Sequence, residues 1–217
     1  MLSATDEEGQ PMSDEDLRDQ VLTFLFAGHE TTASALSWAF YWIYKLPKVK
    51  EKLLQEIDIL GDNFLESPYL KAVCQEVLRI YPISLISIPR MAKSTVEIMD
   101  RQFEAGTVLV ASIYSLHHRE DLYPEAKQFK PERFLSCNYS AYEFIAFGGG
   151  NRRCLGYALA ILEMKLVIGT ILSNYNLALA DNKVIKPQRR GMTIAPSNGV
   201  PLVMTGKRTA KRAVGLS

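Results

Sequence analysis

Residues 147–156 read Phe-Gly-Gly-Gly-Asn-Arg-Arg-Cys-Leu-Gly, and this stretch governs the interpretation of the whole chain. Cys154 follows a run of glycines and arginines and precedes an apolar segment that predicts a long helix to about Leu172. The backbone amides and the dipole at a helix start favour a thiolate, and glycines let a flat ligand approach the backbone closely. A turn that carries a buried thiol is the commoner use of such a sequence, so the loop alone leaves both interpretations open.

The spacing within this loop argues against other glycine-rich sites. A phosphate-binding loop needs Gly-x4-Gly-Lys-Ser/Thr, and no glycine of the loop has a second glycine at that distance. A dinucleotide-binding turn needs Gly-x-Gly-x-x-Gly, but Arg153 occupies the position of the third glycine. A phosphatase-type cysteine needs an arginine where this chain has Ala160. No second cysteine or histidine stands at ligand spacing from Cys154, which argues against zinc.

The composition is that of an ordinary globular protein. The 217 residues are 47% hydrophobic and 23% charged, and the formal net charge is +1, so nothing indicates nucleic acid as a partner. The 3 cysteines are odd in number and far apart, which excludes a disulfide framework and favours a reducing compartment. The first residues are acidic and polar, so we expect no signal peptide and no membrane anchor, and a cytoplasmic location.

The longest predicted element is a helix over residues 14–45. Ser13 is a typical N-cap, acidic residues follow it, and no helix breaker occurs before Pro47. Residues 21–27 are apolar all round, so we expect this part of the helix to pass through a core. A transmembrane segment over residues 21–43 is the alternative, but the glutamate near its middle would be costly at bilayer depth.

The other predicted elements are shorter, and they place the chain in a mainly α class with small β-sheets (α+β). They are helices over 48–60 and 69–80, strands over 96–99 and 108–113, an irregular stretch over 123–138, a small sheet within 184–205, and a frayed basic tail over 207–217.

Residues 27–32 read Ala-Gly-His-Glu-Thr-Thr in the middle of the long helix. A glycine inside a helix costs about 1 kcal/mol relative to alanine, and threonine hydroxyls can bond back to a carbonyl one turn earlier. We therefore expect a local kink or bulge. Glu30 would be a carboxylate in an apolar helix, where such groups need a partner or a role. A helix crossing with small residues at the contact would explain the same residues.

Several charged residues have an ordinary explanation when they are taken alone. Glu76 and Arg79 are three residues apart on the third helix, off its apolar stripe, as in a solvated ion pair worth a few tenths of a kcal/mol. Arg90 and Arg152 are compatible with plain surface arginines. His117 and His118 are interpreted as ordinary loop residues.

Together these segments resemble the cytochrome P-450 family of heme-thiolate monooxygenases. Its heme-ligand pattern FxxGxRxCxG is matched by Phe147, Gly150, Arg152, Cys154 and Gly156. Its [AG]Gx[DE]T[TS] motif is matched by residues 27–32, its ExxR motif by Glu76 and Arg79, and its PERF segment by residues 131–134. The motifs occur in the order that the family has.

The resemblance implies a role for each matched residue. Cys154 would be the axial ligand of the iron of heme b (iron protoporphyrin IX), and Glu30 and Thr31 would relay protons to bound dioxygen. Glu76, Arg79 and Arg133 would be structural residues that lock the irregular loop beneath the heme. The other residues implied in heme binding are Ala27, Arg90, Phe147, Gly148, Gly150, Arg152 and Gly156, with Arg90 and Arg152 against the propionates.

The resemblance also implies an activity and its partners. One oxygen atom of dioxygen would be inserted into a small lipophilic substrate, with electrons from a ferredoxin or a flavoprotein reductase. The resemblance covers residues 1–217 but only the C-terminal half of the family's fold: the long central helix, the heme-ligand loop and the helix after it. A truncated or split fragment, which is not an enzyme by itself and binds heme weakly or needs a complementary N-terminal chain, is therefore an alternative. A membrane-anchored binding module is a third.

Overall fold

A computed structural model describes residue 5 and residues 9–191 and 193–208. The helices in chain order are α1 (Asp14–Lys45), α2 (Pro47–Leu60), α3 (Pro68–Ile80), α4 (Ile113–His117), α5 (Arg133–Ser136) and α6 (Tyr157–Asn174), with 3₁₀ turns at Gly61–Glu66 and Gly150–Arg152. The strands are β1 (Arg90–Met91), β2 (Val96–Ile98), β3 (Arg101–Phe103), β4 (Val108–Leu109), β5 (Tyr175–Leu179), β6 (Pro187–Arg190), β7 (Thr193–Pro196) and β8 (Leu202–Lys207). The strands pair antiparallel in two-stranded sheets, as β1–β4, β2–β3, β5–β8 and β6–β7. The predicted class, mainly α with small sheets, is confirmed.

The long helix has the predicted bounds. Ser13 Oγ accepts a hydrogen bond from the Asp16 amide at 3.1 Å, and the helix ends at Lys45, shortly before Pro47. Thr31 Oγ1 donates to the Ala27 carbonyl at 2.6 Å, as expected for a hydroxyl that bonds back along its helix. The helix nevertheless stays α-helical through residues 27–32, so the predicted bulge is wrong, while the alternative of a kink stays a prediction.

Only the second half of α1 enters the core. Burial begins at Ser34, whereas Val21 is 53% exposed, Leu25 69% and Phe26 88%. The prediction that residues 21–27 pass through a core is therefore wrong for this chain. The physical reason is that the described residues place no element over this face of α1, although its composition suits a buried position.

The core lies where the second half of α1 meets α2, α3 and α6. Both tryptophans of the chain are on α1: Trp38 lies against Tyr81 with ring centroids 4.1 Å apart, and Trp42 stacks on Phe129 at 5.0 Å. Helix α6 contributes Met164, Ile168 and Leu172, which are fully or almost fully buried. This packing fixes the helix that follows Cys154 against the long helix.

The element boundaries shifted where tertiary context decides them. Helices α2 and α3 begin one residue before the predicted starts, at prolines, because proline suits the first helical position. Strand β4 ends at Leu109, not at residue 113, and Ile113 instead begins α4 after the N-cap Ser112. The prediction of a strand over 108–113 is thus wrong for its last four residues.

The C-terminal segment departs from the predicted tail at its first two residues. Strand β8 includes Lys207, and the Arg208 amide donates to the Asn174 carbonyl at 2.8 Å. The Arg208 guanidinium also pairs with Asp58 on α2. Lys207 and Arg208 are therefore tied to the fold, and residues 209–217 lie outside the described residues.

Candidate functional site

The loop before Cys154 is closed by its own backbone. The Cys154 amide donates to the Phe147 carbonyl at 2.8 Å, and the Gly148 amide donates to the Ile145 carbonyl at 2.9 Å. Gly148 and Gly150 have φ angles of +70° and +60°, in the left-handed region that strains other residues. The thiol of Cys154 is free and exposed, so the alternative of a turn with a buried thiol is wrong.

The loop is braced against the start of α6. Helix α6 begins at Tyr157, three residues after Cys154, so the positive end of its dipole lies near the loop. The Tyr157 ring meets Phe147 edge to face, with centroids 5.0 Å apart, and the Arg153 guanidinium lies 4.3 Å from the centre of the same ring. A Cβ at position 156 would lie 3.9 Å from Cys154 Sγ, so Gly156 keeps that side of the sulfur open.

The chemistry of this loop fits heme. Cys154 and the neighbouring Leu155, which is 84% exposed, present a sulfur and an apolar side chain together, and Gly150 leaves open space beside its backbone. Within residues 9–191 and 193–208, no three side chains of His, Cys, Asp or Glu gather in a way that could hold a metal ion. An iron already held by a porphyrin needs only one such protein ligand, and a soft thiolate suits it.

Glu30 and Thr31 lie on α1 just before its buried half, where Glu30 is exposed and Thr31 is half-buried. Thr193 Oγ1 lies 3.1 Å from Glu30 Oε1 and 3.0 Å from the Arg190 carbonyl. Because a hydroxyl carries one proton, it donates to only one of these acceptors at a time. Glu30 therefore has a partner on β7 that its own segment did not indicate. No hydrogen bond among the described residues joins Glu30 or Thr31 to the cysteine loop.

Glu76 and Arg79 form a buried pair, so their interpretation as a solvated ion pair is wrong. Both side chains are fully buried, and Arg79 Nε and Nη2 donate to the two carboxylate oxygens of Glu76 at 2.7 and 2.9 Å. Arg133 Nε lies 3.1 Å from Glu76 Oε2, and the Lys130 amide donates to Glu76 Oε1 at 2.8 Å. The structure thus brings together the three residues that the sequence marked as structural.

The two arginines of this cluster also hold the chain around it. Arg79 Nη1 donates to the His117 carbonyl at 2.7 Å, and Nη2 donates to the Gln128 carbonyl at 3.2 Å. Arg133 Nη1 donates to the Pro124 carbonyl at 3.0 Å. Because these carbonyls lie at the end of α4 or in the irregular stretch that follows it, the guanidinium donors replace the hydrogen bonds that a continuing regular element would supply.

The two arginines that were predicted to contact the propionates, Arg90 and Arg152, are exposed. Arg90 is in β1, opposite Leu109, and Arg152 ends a 3₁₀ turn of the cysteine loop. Neither guanidinium forms an ion pair with a carboxylate among the described residues. Their role against an anionic ligand stays a prediction, as does that of the exposed Ala27.

His117 is a residue that the sequence analysis misjudged. It ends α4 and is fully buried, and its Nε2 accepts a hydrogen bond from the Ile145 amide at 3.0 Å. Burial, and next the charge of Arg79, lower the pKa of His117 to about 3. The sequence held one weak signal, the N-cap Ser112 one short turn upstream. The interpretation as an ordinary loop residue is wrong.

One helix among the described residues is long and apolar enough to cross a membrane by length and composition. It is Tyr157–Asn174, with a mean hydropathy of 1.4 and 22% of its residues buried, and core helices of soluble proteins pass the same test. Residues 21–43, the predicted alternative, do not meet it.

Comparison with known proteins agrees on one family. The family model for cytochrome P-450 matches residues 1–203. The protein described as cytochrome P-450 135B1 of Mycobacterium tuberculosis is 34% identical over 210 residues, which are 96% of this chain and 44% of the relative. Cytochrome P-450 4F5 of Rattus norvegicus is 34% identical over 212 residues, which are 92% of this chain and 40% of the relative. The crystal structure of a cytochrome P-450 (CYP102L1) matches with a TM-score of 0.81 and 27% identity, over 94% of this chain and 49% of that one. The chain thus spans less than half the length of these relatives.

Proposed function

The chain belongs to the cytochrome P-450 family, and on that premise we propose that it is the heme-binding C-terminal part of a monooxygenase that acts on a small lipophilic substrate. The observation that carries the proposal is the exposed thiol of Cys154, at the end of a glycine loop that is braced on α6. Family membership implies a heme cofactor, and we assign iron protoporphyrin IX.

Cys154 Sγ would hold the heme iron. When bound, a thiolate-ligated heme supplies oxygen activation, because the sulfur donates electron density that favours cleavage of the O–O bond. Phe147 supports the loop through its carbonyl and its ring, and the glycines at 148, 150 and 156 leave the backbone accessible. Arg90 and Arg152 are assigned to the propionates, and Ala27 offers a small side chain where α1 borders the ligand.

Glu30 and Thr31 are proposed to relay protons. The Glu30 carboxylate can accept a proton from water and turn away from Thr193 Oγ1 to pass that proton on, while Thr193 keeps the Arg190 carbonyl as its acceptor. The Thr31 hydroxyl donates to Ala27 within its own helix, so its proton can be redirected without breaking a tertiary contact. Proton transfer by positioned side chains of this kind contributes about 10²- to 10⁴-fold to rates.

Glu76, Arg79 and Arg133 are assigned a supporting role. Their buried cluster lies away from solvent and holds the backbone of residues 117–133, which leads into the cysteine loop. Buried groups that are already hydrogen-bonded to one another and to the backbone are not available to a substrate, which supports a structural assignment.

The substrate and the redox partner are proposed at the level of chemistry. The Ile194 amide donates to the Ile83 carbonyl, so the apolar, exposed Leu85, Ile86 and Ile88 follow a segment joined to β7, whose Thr193 contacts Glu30. Apolar side chains in this position favour a lipophilic substrate. A ferredoxin or a flavoprotein reductase is the proposed electron donor, and a cytoplasmic location stays a prediction from the sequence.

A second candidate function follows from the uncovered face of α1. Apolar side chains there, together with a stripe on α6, would be stabilised by a partner; they are Val21, Leu22, Leu25, Phe26, Leu159, Leu162 and Leu166. The chain spans 44% of the relative from Mycobacterium tuberculosis. The chain would then be one half of a split protein, which acts only with a complementary N-terminal chain of the same family.

The deciding experiment is the carbon monoxide difference spectrum of the chain after it has been mixed with hemin and reduced. We expect a thiolate-type band in the wild type and its loss in Cys154→Ala. Cys137→Ala is the matched control, because Cys137 is also free and exposed but lies outside the loop. An unaltered band and undiminished heme uptake in Cys154→Ala would falsify the assignment. Heme uptake only after addition of an N-terminal segment from a relative would favour the second candidate.

A further inference from the structure

His117 contacts both the buried charge cluster and the cysteine loop. On one side its carbonyl accepts from Arg79 Nη1 at 2.7 Å. On the other side its ring nitrogen Nε2 accepts from the Ile145 amide at 3.0 Å, and the ring stacks on Phe144 with centroids 5.4 Å apart and planes 12° from parallel. One fully buried residue therefore joins two segments that are far apart in the sequence.

Three hydrogen bonds, the first two of them linked through the backbone of Ile145, run from this ring to the residue that carries the sulfur. The Ile145 carbonyl accepts from the Gly148 amide at 2.9 Å, and the Phe147 carbonyl accepts from the Cys154 amide at 2.8 Å. The position of the Ile145 peptide therefore sets the start of the loop, and the loop's own bonds carry that position to Cys154. Ile145 N–H is a backbone donor that would otherwise lie without a protein acceptor in a partly buried place.

The ring must be neutral to make this contact. Since Nε2 accepts, the ring proton is on Nδ1, which is buried and has no partner among the described residues. The charged and titratable groups around the ring are Arg79 and Glu76 from α3, the neighbouring His118, and Tyr123, which meets the ring edge to face. Burial lowers the pKa of His117, and the positive charge of Arg79 lowers it further because it disfavours a second positive charge nearby.

We propose that His117 is a positioning residue, which transmits the order of the Glu76–Arg79 pair to the cysteine loop and so fixes where Cys154 is presented. The inference deepens the proposed function, on which the role of Cys154 depends. His117 acts through the Ile145 peptide and does not touch the sulfur.

A second tie lies beside this one and supplies a control. The Tyr123 hydroxyl donates to the Glu143 carbonyl at 2.9 Å, and its ring lies 5.3 Å from the guanidinium carbon of Arg79. It holds the chain two residues before Ile145 and has no bond to the loop itself. Tyr123→Phe therefore removes a comparable buried hydrogen bond without touching the path through His117.

The experiment compares His117→Gln with His117→Asn by amide hydrogen exchange of the chain without heme. A glutamine side chain reaches the position of Nε2 and can accept from Ile145, whereas asparagine is one bond too short. We expect H117N to raise the exchange rates of Ile145, Gly148 and Cys154 at least about tenfold, with core amides such as those of Leu53 and Ile168 unchanged, and H117Q to stay near the wild type. Tyr123→Phe should leave the loop amides protected.

Two outcomes would overturn the inference: protected loop amides in H117N, or an equal rise in the core amides, which would mean global destabilisation. Should H117N fail to fold, the wild type still decides the matter under mild denaturant, since Ile145 and Cys154 must then open together, and independent opening sinks the idea. With hemin added, the fraction of reduced heme that shows the thiolate-type band should fall in H117N and recover in H117Q. The exchange readout needs no heme, so a failure of the proposed function through Cys154→Ala is told apart from a failure of this inference.

Discussion

At the scale of single residues, the fold concentrates its buried charge around Glu76. Its carboxylate accepts from Arg79 on its own helix and, more than fifty residues further along the chain, from the Lys130 amide and Arg133. Burying a carboxylate is costly unless it is paired and hydrogen-bonded, so this arrangement is stable only while all its donors are present.

Glu76→Gln should therefore be strongly destabilising. The substitution leaves two guanidinium groups buried with no carboxylate, and removing one partner of a buried pair costs about 3–5 kcal/mol. Urea unfolding followed by circular dichroism measures the change. Asp121→Asn, which breaks a surface pair with Arg119, is the control and should leave the midpoint in place. A midpoint of Glu76→Gln close to that of the control would contradict the buried-cluster account.

Stability should fall as the pH drops below neutrality, in part because of His117. Its pKa is about 3 in the fold and 6.5 in the unfolded chain, so between these values the unfolded chain takes up a proton that the fold excludes. The free energy of unfolding that neutral His117 contributes is fully present above pH 6.5. It is lost as the pH falls toward 3, by about 1.4 kcal/mol per pH unit. Between pH 7 and pH 5, the free energy of unfolding measured by urea titration should therefore fall by about 2 kcal/mol less in His117→Gln than in the wild type. Equal pH slopes for the variant and the wild type would show that His117 is not neutral in the fold.

The hydroxyl of Thr31 is expected to matter for coupling and not for folding. It donates within its own helix, so Thr31→Ala should change the unfolding midpoint little, while in a reconstituted enzyme it should divert reduced oxygen from product to peroxide. Peroxide formed per electron pair consumed is the measurement. Thr31→Ser keeps the hydroxyl and should restore most of the coupling; unchanged coupling in Thr31→Ala removes this residue from the relay.

At the scale of helices, two glycines at interior positions give opposite expectations. Gly169 on α6 faces Phe64, and a Cβ there would come within 2.3 Å of the ring, whereas a Cβ at Gly28 on α1 would meet nothing within 4 Å. Gly169→Ala should destabilise by about 1–3 kcal/mol through overpacking. Gly28→Ala should stabilise by about 0.5–1 kcal/mol through helix propensity alone. Thermal or urea unfolding of the two variants checks both signs, and a gain in stability for Gly169→Ala would contradict the close contact of α6 with Phe64.

How far the elements followed from the sequence depended on how local their signals are. Helix α1 was predicted from Asp14 to Lys45 because its cap and its breaker lie next to its ends. The strand predicted over 108–113 ends at Leu109, and the β-branched Ile113 instead begins a short helix, because tertiary packing outweighs its strand propensity. Propensity is a weak guide where tertiary packing decides.

The same contrast holds for the candidate site. The loop of Cys154 could be predicted because all its determinants lie within ten residues. The burial of Glu76 could not be derived from its own helix, since Arg133 is 57 residues away. The N-cap Ser112 indicated at most the short helix that His117 ends, and not its role, because that role depends on the Ile145 amide, 28 residues further along the chain.

At the scale of the whole molecule, the two ends of α1 differ in how they are packed. Its second half is buried against α2, α3 and α6, whereas its first half presents apolar side chains to solvent. Such a face on a soluble chain favours association, either with a partner or with further copies. The exposed side chains of Leu25 and Phe26 dominate it.

The isolated chain should therefore self-associate through the first half of α1. The double variant Leu25→Lys and Phe26→Lys should shift sedimentation toward the monomer and leave the unfolding midpoint nearly unchanged, because both side chains are already in solvent. Ile59→Lys is the control, since Ile59 is also exposed but lies on α2. Equal association of the double variant and the wild type would show that this face is not adhesive.

The placement of both tryptophans has a practical consequence for optical work on this protein. Trp38 and Trp42 pack against Tyr81 and Phe129, at the junction of α1 with the rest of the fold. The intensity or wavelength of their emission should change when these helices separate. It should stay unchanged when the cysteine loop opens or when the first turns of α1 fray. Thermal unfolding followed by tryptophan fluorescence thus reports on the helical core alone. A fluorescent dye attached to Cys154 would report separately on the cysteine loop.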